Sequence, residues 1–220
     1  MKTELEQVLP AEIEKRSFEI ITEELGEKKL APGTEPIVKR CIHTSADFDY
    51  ADNLVFSDGV VEQAMRAIRN GASIVTDTQM AKAGINKKKL AEYGGQVYCF
   101  MSDEDVAEAA RRNGTTRAAA SMDKAAKLNE GSVGIDPKSC PGLIFAIGNA
   151  PTALVRLYEL IQEGSLQPEL VIAVPVGFVN VVQSKEMILE LDTPSIVARG
   201  RKGGSNIAAC ICNALLYMMK

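Results

Sequence analysis

The sequence contains no tryptophan, few other aromatic residues and one histidine. Aromatic residues make up 5% of its 220 residues, whereas the hydrophobic share is 46%. The core is therefore expected to be aliphatic. No apolar run reaches the roughly 18 residues that a membrane-spanning helix needs, and the charged start of the chain lacks the apolar core of a signal peptide. These absences predict a soluble, cytoplasmic protein.

Cysteine pairing and a strong positive charge are also missing. The five cysteines are odd in number and include no CxxC pattern, which argues against a disulfide framework and fits a reducing compartment. We expect the cysteines to fill the apolar core. One histidine and scattered cysteines also argue against a zinc site. The net charge of −4 argues against a surface that coats nucleic acid.

Short β-branched runs alternate with helical periodicity along most of the chain. The pattern predicts strands at 53–56, 73–76, 96–100, 143–147, 170–174 and 195–198, and helices at 10–25, 35–46, 59–69, 103–112, 116–128, 152–163, 180–190 and 206–219. Buried-type strands that are each followed by a helix indicate a parallel sheet covered on both faces. The fold class is α/β, and we expect one domain over 1–220 with an N-terminal helical pair packed on it or on a partner.

Three short polar side chains are placed to begin helices. Asp58 precedes the predicted helix at 59–69, Asp77 follows a strand, and Ser102 precedes an acidic first helical turn. Such side chains accept from the unpaired backbone N–H groups at a helix start. We therefore predict that each caps the helix that follows it.

Ligands of open α/β sheets bind beyond the carboxyl ends of the strands. The loops there are 76–79, 148–152, 175–180 and 199–205. Glycine precedes a helix in two of them, and free N–H groups at helix starts attract anions. For 148–152, anion binding and simple turn formation are equally consistent with the residues. Loop 199–205 (RGRKGGS) adds Arg199, Arg201 and Lys202, so here we favour binding of carboxylates or phosphates.

His43 lies in the segment KRCIHTSADFDY. If this segment is helical, Lys39, Arg40 and His43 share one face. Histidine suits proton transfer near neutral pH. On the residues alone, however, a surface or structural histidine is the more frequent role, and no Ser-His-Asp arrangement can be read from the chain.

Two further residues are ambiguous from the sequence. Arg117 falls in the first turn of a predicted helix, where a cation opposes the helix dipole and a bound anion would offset that cost. A solvent-facing arginine is equally consistent with the pattern. Ser17 lies in the middle of a helix and, by itself, indicates only a surface position.

Seven segments resemble the precorrin-8X methylmutase family. They are IEKRSFEII at 13–21, VKRCIHTSADFDY at 38–50, SDGVVEQAMRAIRNGASIVTDTQMAKAGI at 57–85, TRAAASM at 116–122, AIGNAPTAL at 146–154, PVGFVNVVQSKE at 175–186 and ARGRKGGSNIAA at 198–209. They span nearly the whole chain in the expected order, and the ordered set is specific.

The resemblance implies a three-layer α/β/α sandwich, usually dimeric. It implies an isomerase of cobalamin biosynthesis that moves a methyl group from ring carbon 11 to carbon 12 of precorrin-8X or cobalt-precorrin-8. The product would be hydrogenobyrinate or cobyrinate. No cofactor is expected, because a methyl shift needs no redox partner and any cobalt belongs to the tetrapyrrole substrate.

The resemblance also implies roles for particular residues. His43 would be the proton donor and acceptor. Ser17 and Arg40 would contact the substrate, and Arg117 would be a further contact. The loops at the strand ends, rather than the resemblance, add Asn149, Thr152, Arg199, Arg201 and Lys202 as expected substrate contacts. Val176, Phe178 and Val179 would form an apolar pocket for the faces of the macrocycle.

Two other functions are weighed against this one. A nucleotide-dependent enzyme on a Rossmann-like sheet would need a glycine fingerprint and an acid about 20 residues further on, and neither is evident. A non-catalytic tetrapyrrole carrier would bind a corrinoid tightly without any change of its spectrum over time.

Overall fold

The computed structural model describes residues 5–130 and 141–219, within which six strands form one sheet. The strands are β1 (Leu54–Phe56), β2 (Ser73–Thr76), β3 (Val97–Tyr98), β4 (Leu143–Ile147), β5 (Leu170–Ala173) and β6 (Ser195–Ala198). Their order is β1-β6-β5-β4-β2-β3. All neighbouring pairs are parallel except β1 with β6. The predicted α/β class with a mainly parallel sheet is confirmed.

The described helices match the predicted ones to within three residues at either end and add three short ones. They are α1 (Ile13–Leu25), α2 (Glu35–Ser45), α3 (Tyr50–Asn53), α4 (Val60–Arg69), α5 (Gln79–Gly84), α6 (Lys87–Ala91), α7 (Glu104–Arg112), α8 (Arg117–Ala126), α9 (Pro151–Gln162), α10 (Val181–Leu189) and α11 (Ser205–Met218). The additions α3, α5 and α6 span four to six residues, too few to show a helical period. Strand β3 is shorter than predicted because it pairs only with β2, over two residues.

Alternate side chains of the central strand β4 enter two separate cores. Ile144 and Ala146 belong to the core under α1, α2, α4, α5, α6 and α11. Phe145 and Ile147 belong to the core under α7, α8, α9 and α10. Helices therefore cover both faces of the sheet, which is the predicted three-layer arrangement. Of the N-terminal pair, α2 packs on α11 and α1 packs on α2.

Two of the predicted helix caps are wrong for a local reason. Helix α4 is entered through Gly59 in a left-handed conformation, with φ of 65° and no side-chain cap, so Asp58 lies one residue too early. Helix α7 is preceded by Asp103, not Ser102, and it also has no side-chain cap. The third prediction, for Asp77, concerns the functional site.

The cysteine side chains fill apolar space, as predicted. Cys41, Cys99, Cys210 and Cys212 are free and buried, and burial raises the pKa of Cys212 to about 12. Cys140 lies outside the described residues. None of the helices in 5–130 and 141–219 combines the length and apolar character that a membrane crossing requires.

Candidate active site at the carboxyl end of the sheet

The loops after β5 and β6 lie side by side at the carboxyl end of the sheet. Helix α10, which follows β5, packs on one face of the sheet, and α11, which follows β6, packs on the other face. The two connections therefore diverge after these neighbouring strands. They are joined by hydrogen bonds from the Gly177 N–H to the Arg201 carbonyl (3.1 Å) and from the Gly204 N–H to the Val174 carbonyl (2.8 Å). Such a point, where neighbouring connections diverge, is where α/β folds bind ligands.

Glycine in loop 199–205 serves close backbone packing. Gly203 has φ of +153°, and a Cβ there would lie 2.1 Å from the Val174 carbonyl oxygen. A Cβ on Gly148 would similarly lie 2.7 Å from the Cα of Ser205. These glycines let the start of α11 approach the ends of β4 and β5.

The backbone N–H groups just before α9 already bind a carboxylate of the protein, that of Asp77. Asp77 is fully buried and accepts from the backbone N–H groups of Gly148 (2.9 Å), Asn149 (2.8 Å) and Ala150 (2.7 Å). Burial raises the pKa of the Asp77 carboxyl, although the three N–H donors oppose the shift. The predicted cap of the following helix is therefore wrong, because Thr78 accepts from the Ala81 N–H there instead.

This arrangement also corrects the expected anion site in loop 148–152. The three N–H groups that would have received a ligand carboxylate are bound to Asp77. The side chains of Asn149 and Thr152 remain exposed. Any ligand contact of this loop must therefore come from side chains.

Loop 199–205 carries less unpaired charge than its sequence suggests. Arg199 donates to Glu186 at 3.1 Å. Lys202 pairs with Asp47 at 2.6 Å and Asp49 at 2.5 Å. Hydrogen bonding to both carboxylates raises the pKa of Lys202, and the same contact lowers the pKa of Asp47. The guanidinium of Arg201 instead lies over the Phe178 ring, 5.2 Å from its centroid.

The imidazole of His43 lies exposed on α2, against an aromatic ring of α1. Its centroid is 5.3 Å from that of Phe18. The Arg40 guanidinium lies 5.3 Å from the same ring and 5.0 Å from the Tyr217 ring, and it pairs with Glu14 at 3.0 Å. The predicted common side of Arg40 and His43 is confirmed. Neighbouring Lys39 binds Thr22 of α1 at 2.8 Å.

The direction of α2 brings His43 toward the carboxyl end of the sheet. Thr44 donates to Cys210 Sγ in the first half of α11 (3.2 Å), whereas Arg40 contacts Tyr217 near the end of that helix. Helix α2 therefore runs antiparallel to α11, with its last turn near loop 199–205. The Lys202–Asp47 ion pair joins that loop to the segment just after α2.

Two of the remaining predicted contact residues, Arg117 and Thr152, lie together at the starts of α8 and α9, and Ser17 lies apart from them on α1. Thr152 at the start of α9 shares a hydrogen bond of 2.8 Å with Thr116, which caps α8 through the Ala119 N–H. Arg117 begins α8, as predicted, and is exposed. Within the described residues no ion pair engages Arg117 or Arg201. On α1, Ser17 donates to the Ile13 carbonyl at 2.9 Å.

Apolar side chains of loop 175–180 are open to solvent. Val176, Phe178 and Val179 are 50%, 77% and 79% exposed. In this one chain they form an open apolar surface instead of the predicted apolar pocket. A distant cavity of about 790 Å³ lies between α7, α8 and α9. It is a weaker candidate, because two of its four cations, Lys124 and Arg156, are paired with carboxylates and it does not lie at the carboxyl ends of the strands.

Together these features define an α/β protein whose surface at the carboxyl end of the sheet is partly cationic and partly apolar, which is the chemistry that a large amphiphilic anion requires. The family model described as precorrin-8X methylmutase matches residues 12–218. The chain belongs to the precorrin-8X methylmutase family, whose members are isomerases of cobalamin biosynthesis.

Individual relatives agree with the family match. A protein of Priestia megaterium named cobalt-precorrin-8 methylmutase is 45% identical over 208 residues, covering 94% of this chain and 88% of its own. One of Salmonella typhimurium with the same name is 43% identical over 216 residues, covering 96% of each. The solved precorrin-8x methyl mutase of Thermus thermophilus is 36% identical, with a TM-score of 0.81 over 94% of this chain and 96% of its own.

Proposed function

We propose that the protein moves a methyl group from ring carbon 11 to carbon 12 of cobalt-precorrin-8 or precorrin-8X, with His43 as proton donor and acceptor. The observation that carries the assignment to His43 is its position. It is the one histidine of the chain, it is exposed, and it lies on the helix that runs toward loop 199–205. The products are cobyrinate and hydrogenobyrinate, respectively.

The chemistry suits a single acid–base group. The methyl shift leaves the composition of the macrocycle unchanged, so a proton that His43 gives to the conjugated ring must be recovered before the product leaves. Protonation of a ring nitrogen or carbon favours the tautomer in which the methyl group migrates, which is general acid catalysis. No redox cofactor enters this reaction, and cobalt, where present, is part of the substrate.

The charged side chains act as anchors for the acidic substituents of the macrocycle. Arg117 and Arg201 are exposed and carry no ion pair within the described residues, so their full charge is available for carboxylates. Arg40 and Ser17 hold further substituents beside His43. Arg199 and Lys202 retain donors beyond those that bind Glu186, Asp47 and Asp49.

Apolar and polar groups complete the substrate surface. The exposed rim of Val176, Phe178 and Val179 covers a face of the macrocycle. The side chains of Asn149 and Thr152 bind substituents from the α9 side. We further propose that the protein works in the cytoplasm as a homodimer. Light scattering on the purified protein tests the dimer.

The assay uses the colour of the substrate. Moving the methyl group alters the conjugation of the macrocycle, so purified protein should change the visible spectrum of the precursor while the mass stays constant. Cobalt-precorrin-8 and precorrin-8X are tested in parallel. Tight binding with a constant spectrum would support the non-catalytic carrier, and a thermal shift with NAD(H) would support the nucleotide enzyme.

A further inference from the structure

Lys185 on α10 is a fully buried lysine without a carboxylate partner among the described residues. Its Nζ donates to the carbonyl of Gly200 (2.9 Å) and to that of Lys202 (2.8 Å). Burial lowers its pKa to about 8. Lys185 lies in the segment PVGFVNVVQSKE, and both of its acceptors lie in RGRKGGS.

A buried amine in this position is costly. Removing an ammonium from water is unfavourable unless a counter-charge or good hydrogen bonds compensate it. An apolar side chain of similar volume would fill the same space at lower cost. What Lys185 provides and an apolar side chain cannot is the pair of hydrogen bonds to loop 199–205.

These bonds complete a row of three consecutive carbonyl acceptors. The carbonyls of Gly200 and Lys202 accept from Lys185 Nζ, and the carbonyl of Arg201 between them accepts from the Gly177 N–H at 3.1 Å. The backbone on both sides of Arg201 is therefore held. The Arg201 side chain lies exposed over the Phe178 ring.

We propose that Lys185 is a positioning residue of the substrate site, which fixes loop 199–202 so that Arg201 is presented to a substrate carboxylate. Lys185 is buried and binds the backbone of the loop, so it does not contact the substrate itself. The inference rests on the proposed function insofar as Arg201 is taken as an anchor. The fixing of the loop can be tested without any substrate.

Limited trypsin digestion tests the loop directly, because trypsin cuts after Lys and Arg and the loop offers Arg199, Arg201 and Lys202. In the wild type these bonds should resist cleavage. In Lys185→Met they should be cut at least tenfold faster, releasing C-terminal fragments recognised by mass, while sites elsewhere keep their rates. Lys88→Met, which removes an exposed lysine on α6, is the control and should match the wild type.

Several results would overturn the proposal. Unchanged loop cleavage in folded Lys185→Met is one. Uniformly faster cleavage at all sites is another, because it indicates general destabilisation instead of a held loop. If the variant does not fold, hydrogen exchange of the wild-type Gly177 amide decides: slow exchange supports a fixed loop and exchange at the free-peptide rate contradicts it.

Kinetics separate positioning from a merely structural role. Lys185→Met should raise KM for the macrocycle about tenfold with kcat within twofold, since a charge-assisted anchor is misplaced. A lower kcat at unchanged KM would show only a smaller active fraction and would contradict positioning. If the wild type converts no substrate, the proposed function is wrong. The digestion experiment still tests whether Lys185 fixes the loop, because it uses no substrate.

Discussion

The phenyl ring of Phe18 lies against the imidazole of His43, with the centroids 5.3 Å apart and the planes inclined by 34°. The guanidinium of Arg40 lies over the same Phe18 ring, 5.3 Å from its centroid. One aromatic side chain of α1 thus contacts both proposed functional groups of α2. No hydrogen bond from the described residues engages the His43 ring, so we expect the Phe18 contact to orient the imidazole.

Loss of the Phe18 ring should leave the His43 imidazole without a fixed orientation. An aromatic pair contributes about 0.5–1.5 kcal/mol beyond buried area, so Phe18→Leu should reduce turnover about threefold to tenfold. Because His43 is the one histidine, its imidazole gives a single set of proton NMR signals. In Phe18→Leu these signals should move toward random-coil values.

Tyr217→Leu is the matched control for Phe18→Leu. It removes the other ring that contacts Arg40 and leaves the Phe18–His43 pair intact. The His43 signals should therefore stay at their wild-type positions. Identical His43 spectra in Phe18→Leu and the wild type would show that Phe18 does not orient the imidazole.

The sequence predicted part of this arrangement. Helical spacing placed Arg40 and His43 on one side of a helix, because that relation is local. The partner Phe18 was not found, since its contact with His43 crosses the turn between two helices and depends on how α1 docks on α2. The same limit applies to Lys202, whose partners Asp47 and Asp49 lie about 150 residues away in the chain.

Removal of the Asp77 carboxylate should destabilise the fold. Asp77→Ala leaves three backbone N–H groups without their acceptor, at about 1–3 kcal/mol each. Urea denaturation should show a free energy of unfolding lower by at least about 3 kcal/mol. Asp58→Ala, which removes an exposed carboxylate that caps no helix, should stay within about 0.5 kcal/mol of the wild type. Equal stability of the two variants would refute the role of Asp77 in holding the loop before α9.

The Asp77 prediction also shows where a local pattern misleads. An aspartate after a strand is a reasonable cap for the next helix, and the structure does use such a cap at Thr78. Asp77 points instead across the sheet to the neighbouring loop, 71 residues further on. Strand order decides that neighbour, and strand order is a property of the whole sheet.

Neutralising the proposed anchors should weaken substrate binding more than catalysis. Arg201→Met and Arg117→Met should each raise KM about tenfold, because each removes a charge-assisted contact, and should leave kcat within about threefold. Arg69→Met is the control, since this exposed arginine ends α4, before β2, at the opposite end of the sheet. Steady-state rates with the cobalt-containing substrate measure the effect. A KM change no larger than that of Arg69→Met would show that the substituted arginine does not bind the substrate.

Burial of Lys185 should make stability depend on alkaline pH. Its pKa falls from 10.5 to about 8 in the folded protein, so between those values the unfolded chain binds more protons and stability must rise with pH. The difference in unfolding free energy between wild type and Lys185→Met should shift by about 2 kcal/mol in favour of the wild type from pH 7 to pH 10. A pH-independent difference would mean that the amine keeps its ordinary pKa.

Single-turnover conversion by His43→Ala tests the account most directly. The variant's fold is first confirmed by circular dichroism and its affinity for substrate is measured by fluorescence or absorbance titration. The anchors remain, so affinity should stay within a few-fold of the wild type, while the rate of the spectral change should fall by about a hundredfold or more. A folded variant that converts bound substrate at the wild-type rate would contradict proton transfer by His43.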